Sequence, residues 1–266
     1  MEGLSVGSVL LTGCDGGLGL GLLKGLLEQP SPPRHLFAAC LDPQGKEDAQ
    51  CMGVASCHVL QSWPPACVPK PSCPLADVTD PNSIRAAVRK VREEVGNAGL
   101  NLLVNNTSTT RSSTLATETA ENMSLVYTTN TIGPLQTSQA FLPLLKEAAE
   151  AERQHEMSCS RAAIINISSI LGSIEVAEAW EERQDICYRC SKAALNMLTK
   201  CLALEYGSSG ILCVSVDPGH VTPPLEPGMG PVTLEESVRG ILQLLAQLSA
   251  TSNGTFWDWR GQRLPW

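Results

Sequence analysis

Several features that mark particular classes of protein are missing from this chain of 266 residues. No apolar run reaches the roughly 18 residues of a membrane-spanning helix. The first residues, Met1 to Ser5, show no basic segment followed by an apolar core. We therefore expect a cytoplasmic protein with neither a secretory signal nor a membrane partner.

Basic residues are also scarce for a nucleic-acid binder. The chain has 19 lysines and arginines against 27 acidic residues, and its net charge of −8 and pI of about 5.1 predict no nucleic-acid partner. Its four histidines are far apart and lack metal-ligand spacing, so no metal site is expected. Cysteines, by contrast, are numerous. Without a secretion signal, we expect the eleven thiols to be reduced and mostly buried.

The stretch from Val9 to Gly19 is the first motif that predicts a ligand. A short apolar strand is followed by a glycine turn and then by a leucine-rich helix, which is the opening unit of a dinucleotide-binding fold. Gly13 can adopt the turn, Gly17 leaves the backbone open to a pyrophosphate, and Gly19 lets helix and strand pack closely. The free N–H groups at the helix start favour a phosphate. Glycine-rich turns also occur without a ligand, so a second motif has to agree.

Apolar segments and helical patterns alternate along the rest of the chain. This alternation predicts an α/β protein with a doubly wound, mostly parallel sheet in three layers, forming a single domain over residues 1–266. Proline crowds the stretch 43–76, where we expect a loop and at most a short third strand at 73–77. The other predicted strands cover 35–40, 100–105, 161–168, 211–216 and an edge strand at 255–259. The predicted helices cover 80–96, 117–151 with a break near 133–134, 186–206 and 233–248.

Tyr188 and Lys192 form the second motif. Four positions apart on a helix, they lie on the same face, and an ammonium near a phenol predicts a tyrosine pKa lowered toward neutrality, suited to general acid/base chemistry. The spacing is common by chance on exposed helices. Here, however, it follows a strand that ends in Ser169, with Asn130 upstream and Asn105-Asn106 at the end of another strand. This order is hard to obtain by accident.

In this order of motifs the chain resembles the short-chain dehydrogenase/reductase family over about residues 6 to 266. The closer likeness, to the C-factor/sniffer-like carbonyl reductase branch, is carried by residues 100–106, 164–169, 188–196 and the tail 257–266. The resemblance implies a Rossmann fold and an oxidoreductase. It would move a hydride between a nicotinamide cofactor, NADP or NAD, and a small carbonyl or alcohol. It also implies a homodimer formed through the helices at 117–150 and 185–206.

The resemblance also implies a role for each site residue. Tyr188 would protonate the carbonyl oxygen, and Ser169 would hydrogen-bond the same oxygen. Lys192 would hold the nicotinamide ribose and lower the pKa of the tyrosine. Asn130 would order a water in a proton relay. Asp77 would face the adenine. The residues expected to bind the cofactor are Gly13, Gly17, Leu18, Gly19, Leu41, Asp77, Val78, Asn105, Asn106, Tyr188, Lys192, Pro218, Gly219 and Val221.

Some residues depart from the family pattern. The usual Asn-Asn-Ala-Gly ends here in Thr107-Ser108, which adds a side chain where close backbone approach to the cofactor is expected. Gly16 and Leu41 stand where NADP-dependent relatives have arginine, and Pro223 replaces a threonine. These changes predict weak cofactor binding without the usual NADP preference. They also leave open an alternative, a non-catalytic protein of the same fold that acts as a dimerising or binding module.

The segment 220–232 is expected to select the substrate. It is rich in proline and glycine and low in charge. The apolar residues Leu225 and Met229, together with Trp180, suit a hydrophobic carbonyl better than a sugar or a charged acid, although ordinary packing explains them equally well.

Overall fold

A parallel sheet forms the middle layer of the protein. The computed structural model describes residues 3–40, 77–176, 180–181, 183–219 and 232–266. Within these residues the strands are β1 (Ser8–Thr12), β2 (His35–Ala39), β3 (Leu102–Asn105), β4 (Ala163–Ile167), β5 (Leu212–Asp217), β6 (Thr255–Asp258) and β7 (Arg263–Leu264). Their order in the sheet is β2-β1-β3-β4-β5-β6-β7. All neighbouring strands are parallel except β6 and β7.

Helices cover both faces of this sheet. They are α1 (Gly17–Leu27), α2 (Pro81–Val95), α3 (Ala120–Tyr127), α4 (Gly133–Ala151), α5 (Ile186–Tyr206) and α6 (Leu234–Gln247). The first residues of α2 show why it starts where it does. The Asp80 carboxylate accepts hydrogen bonds from the amides of Asn82 and Ser83, and Pro81 occupies the first position.

The central strands are apolar on both sides because each side faces a helical layer. β1, β3, β4 and β5 are buried at every residue. Val9 and Leu11 of β1 pack in the core beneath α1 and α6, whereas Leu10 between them packs in the core beneath α2, α4 and α5. The predicted α/β fold with a doubly wound sheet in three layers is therefore confirmed.

The topology places a cleft at the carboxyl ends of the strands. The chain runs outward from β1 to β2 and then returns to the other side of β1 for β3. Ligands bind open α/β sheets at such a switch point, because the connections leave there in opposite directions.

Two details differ from the sequence-based expectation. The helical region 117–151 is interrupted by a wide turn of π type at Thr128–Ile132, directly before Gly133. The strand at 255–259 is not the sheet edge, because β7 pairs with it in antiparallel fashion. The predicted third strand at 73–77 and the loop 43–76 lie outside the described residues, apart from Asp77. Among the described helices, none has the length and apolar character needed to cross a membrane.

Candidate active site

The glycine turn after β1 forms one wall of the cleft. Gly13 and Gly17 have φ values of 69° and 48°, a left-handed conformation that glycine adopts without strain. A Cβ atom on Gly19 would lie 2.0 Å from the carbonyl oxygen of Gly13, so only glycine permits this approach of helix to strand. Around Gly16 and Gly17, in contrast, a Cβ would meet no atom within 4 Å. The start of α1 has no side-chain cap and no acidic residue in its first turn, which leaves it open to a phosphate.

Asn106 braces this turn from the end of β3. Its side-chain amide donates to the carbonyl oxygens of Thr12 and Gly13, both at 3.0 Å. The backbone amides of Asn106 and Thr107 donate to Thr12 Oγ1 at 3.0 and 3.1 Å. Asn106 therefore holds the shape of the turn and also lines the cavity beside it, which has a volume of about 370 Å³.

Asn105 points elsewhere, because successive residues of a strand face opposite sides. Its side chain is 3% exposed and donates to Asn166 Oδ1 at 2.8 Å and to Ser138 Oγ at 3.3 Å. The prediction that Asn105 contacts the cofactor therefore needs correction, since the structure directs this side chain into the core.

A polar ladder continues from Asn105 across the sheet. The Asn166 amide donates to Thr199 Oγ1 at 2.8 Å, and Ser215 Oγ donates to the same oxygen at 2.8 Å. Asn105, Asn166 and Ser215 are register partners on β3, β4 and β5. All of these side chains are buried.

Lys192 lies beneath the cleft on α5. It is 1% exposed, and its Nζ donates to the carbonyl oxygen of Ile167 at 2.8 Å. Burial lowers the pKa of this lysine to about 7, an effect that the negative charge of Asp217 partly offsets. The ammonium lies 5.5 Å from the centre of the Tyr188 ring, one helical turn away, as the spacing predicted.

The pKa of Tyr188 is raised above its ordinary value, and the prediction of a lowered pKa is wrong. Burial is the largest cause, because it disfavours the phenolate. Hydrogen bonds from the Ser169 and Ser108 hydroxyls act in the opposite direction, as does the charge of Arg183, while Asp217 adds to the increase.

Ser169 faces the cleft because the chain turns sharply after β4. Its Oγ accepts a hydrogen bond from the amide of Leu171 at 3.2 Å, which caps the short turn Ile170–Gly172. The preceding Ser168 is buried and donates to Asn196 Oδ1 on α5 at 2.6 Å. Of the two serines, the structure therefore presents Ser169 to the Tyr188 phenol.

Asn130 connects two parts of the site through its side-chain hydrogen bonds. It lies in the π turn and is fully buried. Its Oδ1 accepts from the amide of Thr109 at 2.8 Å, and its Nδ2 donates to the carbonyl oxygen of Thr109 and to Ser191 Oγ, both at 2.9 Å. The side chain thus ties the segment after β3 to α5. The ordering of a water by Asn130 stays a prediction.

Sequence reasoning missed Asp217 and Arg183. Asp217, the last residue of β5, accepts from the amides of Ile170 at 2.9 Å and Gly219 at 3.1 Å, and so joins two loops of the cleft. Arg183 pairs with the buried carboxylate of Asp185 and lines the substrate side of the cleft. The position of Asp217 at a strand end is a signal that could have found it. Arg183 has no comparable local signal.

The remaining predicted residues divide into three groups. Leu18, Pro218 and Gly219 line the cleft. Asp77 accepts from the amide and hydroxyl of Thr79, and Val78 is buried. The residues that lie outside the described part of the chain are Leu41, Val221, Pro223, Leu225 and Met229.

Two cysteines lie close to Tyr188 in the sequence. Cys187 and Cys190 form a Cys-x-x-Cys pair at the start of α5, and both are free thiols. Cys187 is buried, and burial together with the neighbouring Glu118 raises its pKa. A raised pKa leaves little reactive thiolate near neutral pH, so this thiol is a packing group.

Comparisons with known proteins agree with this geometry. The family model for short chain dehydrogenases matches residues 70–229. The chain belongs to the short-chain dehydrogenase family. Its fold matches the NADPH-bound carbonyl reductase from chicken fatty liver with a TM-score of 0.88 and 45% identity, over 99% of this chain and 100% of that one. It matches the carbonyl reductase Sniffer of D. melanogaster with a TM-score of 0.86 and 33% identity, over 98% and 100%.

Curated sequences give a wider range of relatives. Retinol dehydrogenase 5 of Mus musculus is 29% identical over 218 residues, or 82% of this chain and 57% of that protein. The C-signal protein of Myxococcus xanthus is 29% identical over 145 residues, or 54% and 79%. The chain thus spans little more than half the length of the retinol dehydrogenase. The predicted family and the likeness to its carbonyl reductase branch are confirmed.

Proposed function

We propose that this chain transfers a hydride between a nicotinamide cofactor and a small carbonyl or alcohol, with Tyr188 as the proton donor or acceptor. The observation that carries the proposal is the meeting of Tyr188, Ser169 and Lys192 in one cleft, next to a glycine turn open to a phosphate. The named carbonyl reductases among its structural relatives support the same reaction class.

The residues of the cleft suit such a cofactor. The open backbone at Gly16 and Gly17 leaves space for a diphosphate at the start of α1. Lys192 is a buried cation that donates to one backbone carbonyl, and it has further N–H groups for ribose hydroxyls. When bound, the nicotinamide supplies or receives the hydride.

The side chains divide the proton chemistry among them. In carbonyl reduction, Tyr188 gives its phenolic proton to the carbonyl oxygen, and the Ser169 hydroxyl donates a hydrogen bond to the same oxygen. The phenolate that remains is stabilised by the Ser108 hydroxyl, by the Ser169 hydroxyl once it turns away from the product oxygen, and by the charge of Arg183. The ammonium of Lys192 lies 5.5 Å from the centre of the same ring. In alcohol oxidation the phenolate is the base.

The substrate side of the cleft is a cavity of about 350 Å³ of mixed polarity. Leu18 and Leu171 line it together with Thr110 and Arg183. This volume suits a small carbonyl compound, and we propose that its apolar part contacts the two leucines. The NADP preference of the branch is proposed to be lost, because Gly16 stands where relatives have arginine and Asp15 adds a carboxylate on the nucleotide side of the cleft.

We further propose a homodimer in the cytoplasm. Large apolar side chains are exposed on α3 and α5, the helices expected to pair: Met123, Leu125, Tyr127, Met197 and Leu204. Large apolar side chains left exposed on these two helices suit a protein partner. Sedimentation velocity of the purified chain tests the oligomeric state, and a monomer at micromolar concentration contradicts it.

The substitution Tyr188→Phe tests the proposed reaction, because it removes only the hydroxyl. We expect turnover of a panel of small aldehydes and ketones to fall about 10²-fold or more. Nucleotide binding, followed by fluorescence titration, should stay nearly unchanged. Tyr206→Phe, at the far end of the same helix, is the matched control and should keep full turnover. Full activity in Tyr188→Phe would remove this residue from the mechanism, whereas the absence of any turnover by the unaltered protein would favour the binding-module alternative.

A further inference from the structure

Ser108 brings an additional hydroxyl to the reaction centre. It follows β3 in the segment 106–110 and is exposed in the cleft. It lines the cavity on the nucleotide side and the cavity on the substrate side, and Tyr188 lines both as well. The sequence had suggested only that this serine would hinder the cofactor. The structure places its side chain in the cleft that Tyr188 also lines.

The position of Ser108 is fixed by a chain of hydrogen bonds that leads to α5. Asn130 holds Thr109, the next residue, through both side-chain atoms, and it also accepts from Ser108 Oγ at 3.4 Å. Asn130 Nδ2 donates to Ser191 Oγ, which donates in turn to the backbone carbonyl of Tyr188 at 2.7 Å. The buried side-chain amide of Asn130 thus links Ser108 to the backbone of Tyr188 through hydrogen bonds.

We propose that Ser108 is a positioning residue for Tyr188, whose hydroxyl serves with that of Ser169 as a hydrogen-bond partner of the phenol during proton transfer. The inference rests on the proposed role of Tyr188. Two hydroxyl donors on one phenolate oxygen stabilise the charged form and restrict its rotation. The Ser108 hydroxyl has one proton, so it turns from Asn130 Oδ1 to the phenolate when it donates there. That proton stays on the serine, and the proton that moves to substrate comes from Tyr188 alone.

Charged groups around the phenol also affect the pKa of Tyr188. Lys192 lies below the ring, and Arg183 and Asp217 act from the two neighbouring loops with opposite sign. Asp15 lines the nucleotide side of the cleft. Against this background the Ser108 hydroxyl lowers the pKa of Tyr188 in the same direction as Ser169 does. Removing it should therefore raise the pKa of the phenol further.

The chain is well suited to a direct measurement because it contains three tyrosines. Protein labelled with 3-fluorotyrosine, whose phenol titrates closer to neutral pH, can be followed by ¹⁹F NMR. Tyr188→Phe assigns the signal of residue 188. We expect Ser108→Ala to raise the titration midpoint of this signal by about one pH unit, the size of one charge-assisted hydrogen bond. The pH at which alcohol oxidation reaches half its maximal rate should move upward by a similar amount.

Two further variants separate positioning from a general loss of structure. Ser108→Thr keeps the hydroxyl and should restore the midpoint to within a few tenths of a unit. Ser112→Ala, an exposed serine of the same loop, should have no effect. An unchanged midpoint in Ser108→Ala, with the protein folded, overturns the inference, and so does an equal shift in Ser108→Thr. The proposed function fails separately, through full turnover in Tyr188→Phe.

Discussion

The buried ammonium of Lys192 makes nucleotide binding depend on pH. Burial lowers its pKa to about 7, and the charge of Asp217 offsets only part of that effect. A nucleotide brings negative charge and hydroxyl acceptors, which should return the pKa toward the ordinary value of 10.5. Between pH 7 and 10, therefore, binding should take up close to one proton, and affinity should fall up to about tenfold per pH unit.

The same lysine should reduce the stability of the protein without nucleotide. The pKa difference of roughly 3.5 units between unfolded and folded chains corresponds to a cost of at most about 5 kcal/mol at pH 7. The folded-state pKa is the lower one, so the unfolded chain binds the extra proton. Stability should accordingly rise as the pH increases from 7 to about 10. Lys192→Met removes the charge with similar length and should stabilise the protein at pH 7.

Two assays check this reasoning. Calorimetric titration with NADH in buffers of different ionisation enthalpy reports the proton uptake at pH 8.5, and Lys192→Met should abolish it. Urea denaturation at pH 7 and 9 reports the stability of both proteins, and the variant should lose the pH dependence. Proton uptake near zero in the original protein, together with a destabilised variant, would refute the reasoning. Lys192 would then be charged and well paired in the free protein.

Two other predictions concern the glycine turn. Gly19→Ala should destabilise the protein by about 3 kcal/mol in urea denaturation, because its Cβ would meet the Gly13 carbonyl, whereas Gly16→Ala has open space and should fold normally. NADP(H) should bind no more tightly than NAD(H) at fixed ionic strength. Each missing arginine contact costs about 1.5 to 3 kcal/mol, and Asp15 lies on the same side of the cleft; tenfold tighter NADP(H) binding contradicts this.

Local spacing was enough to predict much of the fold and part of the site. The three glycines keep their relative positions wherever the strand-turn-helix unit forms. The tyrosine and the lysine, one helical turn apart, keep theirs wherever the helix forms. The alternation of strands and helices predicted the layers in the same way, because parallel sheets need helical cover on both faces.

Properties that depend on tertiary surroundings could not be predicted in this way. The pKa of Tyr188 follows mainly from burial, which outweighs the two serine hydroxyls and the charge of Arg183 and which no sequence spacing reports. The direction of Asn105 depends on which face of β3 meets the core, and the sequence Asn105-Asn106 offers either choice. The place of Ser108 beside the phenol depends on a brace from Asn130, more than twenty residues along the chain.

The polar ladder through Asn105, Asn166, Thr199 and Ser215 has a consequence for exchanging segments between relatives. Apolar strands of similar length can slide past one another at little cost, but a buried amide that loses its partner costs about 1 to 3 kcal/mol. The ladder therefore fixes the register of three strands relative to one another and to one helix. A chimaera that takes β4 from another family member exchanges only the β4 residue of the ladder, at position 166. It should lose about this much stability unless the matching residues of β3, β5 and α5 are transferred with it.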